Sequence, residues 1–424
     1  MTRTLHWGKL AVSLLALLLL APSAQPRMSV TPLYQLHPLL DPVGKATDGS
    51  PERMIVAAID AIRAGRMSDA RATVDALLTK EPNYRLAWLL SADLYAMRSI
   101  PLDNIGGGVA HAPPDRLDDL RREALARLKR QDNPPPATQV PAEVLAFSRN
   151  QKYAIVVDAA ASRLFLFENN NGVPRYVSDS YVTVGKLGTE KLREGDQRTP
   201  LGVYFVYNHM TRPQLDKTFG AQADLYGVGA WPISYPNEMD RREGRTGHGI
   251  WLHGSPSDTY ARPPQASNGC VVLTNPDMLQ LADHLQIGAT PVVIVPQMHW
   301  LSPQQWQQRR QQMQALVENW RNAWQKLDTQ AYLNQYSHDF TSDSGQNLTR
   351  WAQQKSSVNV SKQWAKVDLS DMSLFVGGKD DTLVATFDQD YRSNNLENRM
   401  RKRLYWRNDG GNYKIVWEGA ASNG

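Results

Sequence analysis

The chain reads as a multidomain α+β protein with a helical N-terminal region, a β-rich middle domain and an α+β cone at the C-terminus. Three observations carry that expectation. Apolar residues recur at a helical period from Pro51 to about Arg130; the period switches to two from about residue 150; and a long helix followed by alternating strands starts after Ser302. At 424 residues the chain also exceeds what one hydrophobic core usually serves.

At the start, Arg3, His6 and Lys9 precede an apolar run from Leu10 to Ala21, followed by Pro22-Ser23-Ala24. A basic stretch, an apolar stretch and small residues in that order form a cleaved export signal, assigned to residues 1–23. The apolar run is shorter than the roughly 20 residues that cross a bilayer. No cysteine follows it to carry a lipid, so the expected location is the periplasm. Residues 24–50 read as an extended terminus.

In the helical region, 51–130, Met54, Ala57, Ala58 and Ala61 mark one apolar face, Gly65-Arg66 breaks the helix, and Ala70, Val74, Leu77 and Leu78 mark a second face ending at Glu81-Pro82. Trp88, Ala92 and Tyr95 share a face of a third helix. The spacing of Ala70, Pro82, Trp88 and Tyr95 resembles one and a half tetratricopeptide repeats, and a plain helical bundle fits as well. The region holds no cluster of chemical side chains, so docking or dimerisation is its expected role.

Residues 131–149 read as a linker because Pro134-Pro135-Pro136 cannot continue a helix. The middle domain, 150–297, shows short alternating strands at Tyr153 to Asp158 and Arg163 to Phe167, a turn at Asn169-Asn170-Asn171-Gly172, and a closing strand at Pro291 to Pro296. In the C-terminal domain, 303–420, Pro303 opens a Gln-rich helix through Trp306, Leu316, Trp320, Trp324 and Leu327, and a short helix follows around Ala331 to Tyr336. Strands are then expected at Trp364 to Val376, Leu383 to Tyr391, Met400 to Trp406 and Tyr413 to Trp417. Trp320, Ala323, Trp324, Asp328, Tyr332 and Tyr336 together resemble the SnoaL or NTF2-like superfamily, a fold that serves enzymes and binding modules alike.

The net charge of +5 includes Arg3 and Lys9 of the export signal, so the mature chain is only mildly basic. A small positive excess suits anionic polymers and head groups. Arg241-Arg242-Glu243-Gly244-Arg245 and Arg399 to Arg403 are read as solvated loops or strand faces, since no nucleic-acid module accompanies them. The alternative for Arg241, Arg242 and Arg245 is bidentate binding of a carboxylate.

One residue carries most of the chemical argument. Cys270 is the only cysteine, so it can form neither an internal disulfide nor a four-cysteine metal site. It stands in Ser267-Asn268-Gly269-Cys270, downstream of Trp251-Leu252-His253-Gly254. A thiol attacks an acyl carbon as thiolate, and a histidine must take its proton. His253 is the candidate base. His248 is the competitor, and an odd offset along a strand lets only one of the two face the thiol. A zinc site of His248, His253 and Cys270 lacks a fourth ligand with convincing spacing, so neither metal nor cofactor is expected.

These residues resemble the YkuD-type L,D-transpeptidase family. Val184-Gly185-Lys186, Glu194-Gly195-Asp196 and Thr199-Pro200-Leu201-Gly202-Val203-Tyr204 match the family's glycine turn and its Thr-Pro-x-Gly segment, in order, over about residues 150–296. The resemblance implies that Cys270 attacks the bond before the terminal D-alanine of peptidoglycan tetrapeptide stems and passes the acyl group to an amine. It implies His253 as base, the Gly254 carbonyl as its orienting group, and Ser267, Asn268 and Gly269 around the oxyanion and substrate. Asn268 replaces the usual histidine, and Val272 stands where many members carry Arg or Asn. The three-part layout also resembles enzymes that trim tetrapeptides to tripeptides and help set cell shape, in which water replaces the amine. A different class, a silent wall-binding scaffold, follows from the substitution at Asn268. The expected partners are peptidoglycan stems and, through the N-terminal helices, a second copy or another wall protein, with no nucleic acid.

Overall fold

The computed structural model describes residues 49–109 and 111–421; the export signal assigned to 1–23 lies outside the described residues. Four helices open the described chain: Pro51–Arg63, Met67–Lys80, Arg85–Ala96 and Pro114–Asp132. Ser50 caps the first by accepting a hydrogen bond from the Arg53 N–H at 3.4 Å, and Gly65 takes a positive φ where the sequence breaks the helix. Ile55, Ile59, Val74, Leu77, Leu86, Leu90 and Ala124 form the helical core. The third helix carries Trp88, Ala92 and Tyr95 on one face, and that face is its outer one. It buries Leu86, Ala87, Leu89, Leu90 and Leu94, and leaves Trp88 and Tyr95 each 56% exposed. The run of leucines holds the core.

The segment 131–149 is only in part a spacer. The fourth helix runs through Asp132, and the extended stretch is confined to the neighbourhood of the prolines. Beyond them, Val140–Pro141 pairs with Trp300–Leu301, and Val144–Ala146 joins the edge of the C-terminal sheet beside Ala365–Gly377. Residues 141–148 are buried throughout. The apolar run Val144-Leu145-Ala146-Phe147 makes this half of the linker part of the cone.

The middle domain centres on a five-stranded sheet in the order Val173–Tyr181, Arg163–Asn170, Tyr153–Asp158, Pro291–Val295 and Gly202–Phe205. The hairpin turn is of the kind that needs left-handed backbone, with Asn171 and Gly172 both at positive φ. Pro291–Val295 returns to lie parallel to Tyr153–Asp158, Val292 opposite Ile155. Strand alternation sends Ile155, Val157, Leu164, Val292 and Ile294 into a core shared with Leu252 and Val271. Val156, Phe165, Phe167, Val203 and Val293 point to the other face, where they meet Phe375, Val384, Tyr405, Val416 and Trp417 of the C-terminal domain. Burying side chains of this size contributes about 1.5–3 kcal/mol each. The two domains therefore share a core.

The C-terminal domain is the expected helix-then-strands cone. Ser302 and Pro303 start the helix Pro303–Gln325, whose Trp306, Met313, Val317 and Trp320 face inward. Its sheet has six strands in the order Tyr336–Ser342, Asn412–Ala420, Glu397–Asp409, Thr382–Ser393, Ala365–Gly377 and Val144–Ala146. The helix Leu348–Val360 has no counterpart in the sequence reading; Asn347 caps it, accepting from the Arg350 N–H at 3.0 Å. The basic run at 399–403 is a paired strand: Arg399 meets Asp390, Arg401 meets Asp371 and Asp388, Lys402 meets Glu418, and Arg403 meets Glu238.

Candidate active site

A second, four-stranded sheet carries the site, in the order Val271–Val272, Trp251–His253, Gly229–Pro232 and Met210–Thr211. The first two strands run parallel, Leu252 opposite Val271 and His253 opposite Val272. That register sets Cys270, the residue before Val271, beside the strand that ends in His253. The thiol donates to the Gly249 carbonyl at 3.4 Å.

The nucleophile turn is fixed by two hydroxyls. Ser267 Oγ accepts from the Gly269 N–H at 3.1 Å and donates to the Cys270 carbonyl at 2.7 Å. Thr199 Oγ1 donates to the Gly269 carbonyl at 2.9 Å and accepts from the Gly185 N–H at 2.8 Å. Three stretches far apart in the sequence, the Gly185 turn, the Thr199-Pro200 segment and the cysteine turn, thus meet at one buried hydroxyl. Gly269 itself sits at φ +120°, and a Cβ there would stand 2.7 Å from the Arg198 carbonyl oxygen. Only glycine fits.

His253 is 2% exposed, and its Nδ1 lies 2.7 Å from the Gly254 carbonyl oxygen. A carbonyl only accepts, so Nδ1 carries the proton and Nε2 is left as the acceptor. The Tyr226 ring packs edge-on against the imidazole, centroids 5.3 Å apart. Burial pushes His253 down to about 4, against the pull of the Gly254 carbonyl and with the Arg262 charge adding to the effect. Burial pushes the Cys270 thiol up to about 11, opposed by the Trp251 N–H and the charges of Arg262 and Lys191. At neutral pH both partners are therefore uncharged, and the histidine is ready to accept a proton.

The backbone carbonyl of Gly254 is itself held. The Gly254 N–H donates to the Tyr226 carbonyl at 3.2 Å, and Asn275 ties the next turn by accepting from the Val228 N–H at 3.1 Å and donating to the Ser255 carbonyl at 2.9 Å. The structure thus brings together Cys270, His253, Gly254, Ser267 and Gly269, with Asn268 exposed and accepting from Gln197 Nε2 at 3.2 Å. One expectation changes. The Gly269 N–H is taken by Ser267, so it does not face an oxyanion.

The competing residues lie elsewhere. The His248 side chain is 81% exposed and faces Glu194 at 3.7 Å, outside the strand that carries His253. Arg245 pairs with Asp240 and Glu243, Arg242 with Asp339, and Arg241 donates to the Pro236 carbonyl, so their charges are used locally. Sequence reasoning missed Tyr226 and Arg262, and quoted Thr199 as a motif without its role. Tyr226 leaves no signal in the sequence, because only the fold brings it to the histidine.

The loop between base and nucleophile is gripped by the N-terminal helices. Asn83 Nδ2 donates to the Ser257 carbonyl at 2.7 Å, the Tyr260 N–H donates to the Asn83 carbonyl at 3.2 Å, and Arg85 pairs with Asp258 at 2.6 Å. The Tyr84 and Tyr260 rings lie 4.6 Å apart, and Tyr260 and Ala261 belong to the helical core. Arg127 is buried behind them, paired with Glu123 and Glu52 and lying over the Tyr181 ring at 4.1 Å.

A neutral thiol beside a neutral, oriented imidazole on this β scaffold is the arrangement of a cysteine–histidine acyl-transfer centre. The chain belongs to the family of the L,D-transpeptidase catalytic domain, YkuD, whose model matches residues 152–294; residues 312–419 match the Cds6 C-terminal NTF2-like domain. The solved structure of Bd1075 from Bdellovibrio bacteriovorus is 30% identical with a TM-score of 0.58, covering 67% of this chain and 98% of that one. The helical cell shape determining protein Pgp2 from Campylobacter jejuni shares the fold at 24% identity and a TM-score of 0.55, covering 65% of this chain and 94% of its own. Comparison with curated proteins gave no match.

Proposed function

We propose that this chain is a periplasmic peptidoglycan L,D-transpeptidase that cleaves the bond before the terminal D-alanine of tetrapeptide stems. The observation that carries the reading is the oriented imidazole, His253 with Nδ1 on the Gly254 carbonyl, on a strand paired with the one that follows Cys270, whose turn is fixed by the Ser267 and Thr199 hydroxyls. As Cys270 Sγ bonds to the scissile carbonyl carbon, its proton passes to His253 Nε2. The oxyanion is received by the N–H groups of Asn268 and Cys270, since that of Gly269 is engaged. The tetrahedral intermediate then expels D-alanine, whose nitrogen takes the proton from His253, leaving a thioester on Cys270. An amine from a neighbouring stem, deprotonated by the same imidazole, attacks the thioester and restores the thiol.

The second reading is an L,D-carboxypeptidase, in which water resolves the thioester and a tripeptide results. It is supported by the fold shared with a helical cell shape determining protein over 65% of this chain and 94% of that one. Purified mature protein with tetrapeptide muropeptide is expected to release D-alanine, and Cys270→Ala to release none. Dimeric products support transfer; tripeptide alone supports hydrolysis. A carbapenem thioester on Cys270, seen as a mass increment on the intact protein, separates both from a silent scaffold, and failure to form one together with no D-alanine release would sink the enzymatic reading.

A further inference from the structure

Asn268 stands two residues before the nucleophile, and its side chain is exposed. An amide has an accepting end and a donating end, and its partner settles which of them faces the solvent. Here the partner is Gln197, whose Nε2 donates to Asn268 Oδ1 at 3.2 Å. Asn268 Nδ2 has no partner among the described residues, so the open side of the turn presents a neutral donor. Gln197 itself sits on a braced loop. Asp196 accepts from the Leu192, Arg193 and Arg198 N–H groups at 2.7, 3.1 and 3.2 Å and from the buried Lys191 Nζ at 2.8 Å. The Gln197 carbonyl accepts from the Leu187 N–H at 3.1 Å, and a Cβ on Gly185 would stand 2.5 Å from that oxygen. The backbone of Gln197 is therefore pressed into the glycine turn that Thr199 ties to Gly269.

That backbone adopts φ +55°, a left-handed conformation that glycine takes freely and any other residue takes at a cost. Glycine would hold this turn without strain, and it would leave Asn268 without its partner. A strained residue where an unstrained one fits points to the side chain as the reason for it. We propose that Gln197 is a positioning residue: it holds the Asn268 amide with Nδ2 outward, as a donor to an acceptor oxygen of the bound stem beside the nucleophile. This assignment rests on the reading of the chain as a stem-cleaving enzyme. The Ser267 and Thr199 hydroxyls fix the turn that carries Cys270 without help from either amide, so the pair serves binding of the stem and not the place of the sulfur.

The test measures D-alanine release from tetrapeptide muropeptide in a set of variants, together with their melting temperatures. Gln197→Gly relieves the left-handed strain and removes the contact. Its melting temperature should stay nearly unchanged while KM rises about tenfold and kcat stays within about twofold of the wild type. Gln197→Glu offers only an acceptor at neutral pH, so the Asn268 amide turns its oxygen outward, and KM should rise as it does in Asn268→Asp. Asn268→Ala should raise KM as Gln197→Gly does, and the double variant should go no further than the worse of the two, since both remove one interaction. Three results would each overturn this assignment alone: single effects that multiply in the double variant, a Gln197→Glu indistinguishable from an active wild type, or a Gln197→Gly that loses kcat and melting temperature with KM unchanged. A wild type that releases no D-alanine overturns it together with the reading it rests on.

Discussion

At the scale of single residues, the chemistry follows from two groups kept neutral by burial. With the thiol pushed up to about 11 and the imidazole down to about 4, the resting pair is not a thiolate–imidazolium ion pair. The sign of the pH dependence follows. His253 is an acceptor above about pH 4 and loses that role as it protonates below it, so kcat/KM for the stem should be flat through neutral pH and fall on the acid side. Iodoacetamide, which consumes thiolate without help from the base, should label Cys270 faster with every unit of pH up to about 11. A labelling plateau already at pH 6 would mean a preformed ion pair and would contradict this account. Thr199 offers a second check. Its hydroxyl serves both the Gly185 N–H and the Gly269 carbonyl, so Thr199→Val should strand a buried donor at a cost of about 1–3 kcal/mol. Cys270 would be displaced with it. The expected result is a kcat/KM lowered at least about tenfold by mispositioning, with unfolding by urea shifted in the same variant. The sequence displayed Thr199 as part of a motif, but only the folded turn reveals that one oxygen joins three segments.

At the scale of elements, the strands and their turns were legible because the period of two and the Asn-Gly turn are local signals. The edge strand Val144–Ala146 was not, since its partner Ala365–Gly377 lies far along the chain and three prolines dominated its neighbourhood. The helices were legible as helices but not as to their role. Their contact with the loop 254–264 rests on residues such as Asn83 and Tyr260 that are unremarkable in sequence and meet only in three dimensions. That contact has a consequence for catalysis. The Arg85–Asp258 pair is exposed and adds little stability, at most about 1 kcal/mol. Asn83, by contrast, holds the loop twice, its side chain donating to the Ser257 carbonyl and its own carbonyl accepting from the Tyr260 N–H, and an alanine there removes the first of these bonds. Asn83→Ala is therefore expected to leave the melting temperature nearly unchanged while raising hydrogen exchange at the amides of 255–261 and lowering kcat. Unchanged exchange and unchanged kcat would show that the helices lie against the loop without positioning it.

For the whole molecule, the shared core between the middle and C-terminal sheets makes two domains into one folding unit. Glu238, from the middle domain, accepts from Arg403 Nη1 at 2.8 Å and from Tyr405 OH at 2.7 Å, both across the interface. Burial raises the Glu238 carboxyl, but the Arg403 charge and the Tyr405 hydroxyl outweigh it and hold the group below its ordinary range. Its contribution is thus present above the unfolded pKa and is lost as pH falls through the folded value. Arg403→Met removes the cation and leaves a buried carboxylate with the tyrosine alone, a loss of about 3–5 kcal/mol at neutral pH. Because the pair joins the domains, the loss should fall on both: calorimetry of the wild type is expected to show a single transition for residues 140–420, and Arg403→Met to lower that transition or split it in two. The double variant Glu238→Gln with Arg403→Met, which removes both charges, should recover most of the stability, since the cost lies in the unpaired charge and not in the missing contact. Two independent transitions in the wild type, with the C-terminal one untouched by Arg403→Met, would show that the cone is an appended module and that the interface core of Phe165, Val203, Phe375 and Trp417 does not couple them.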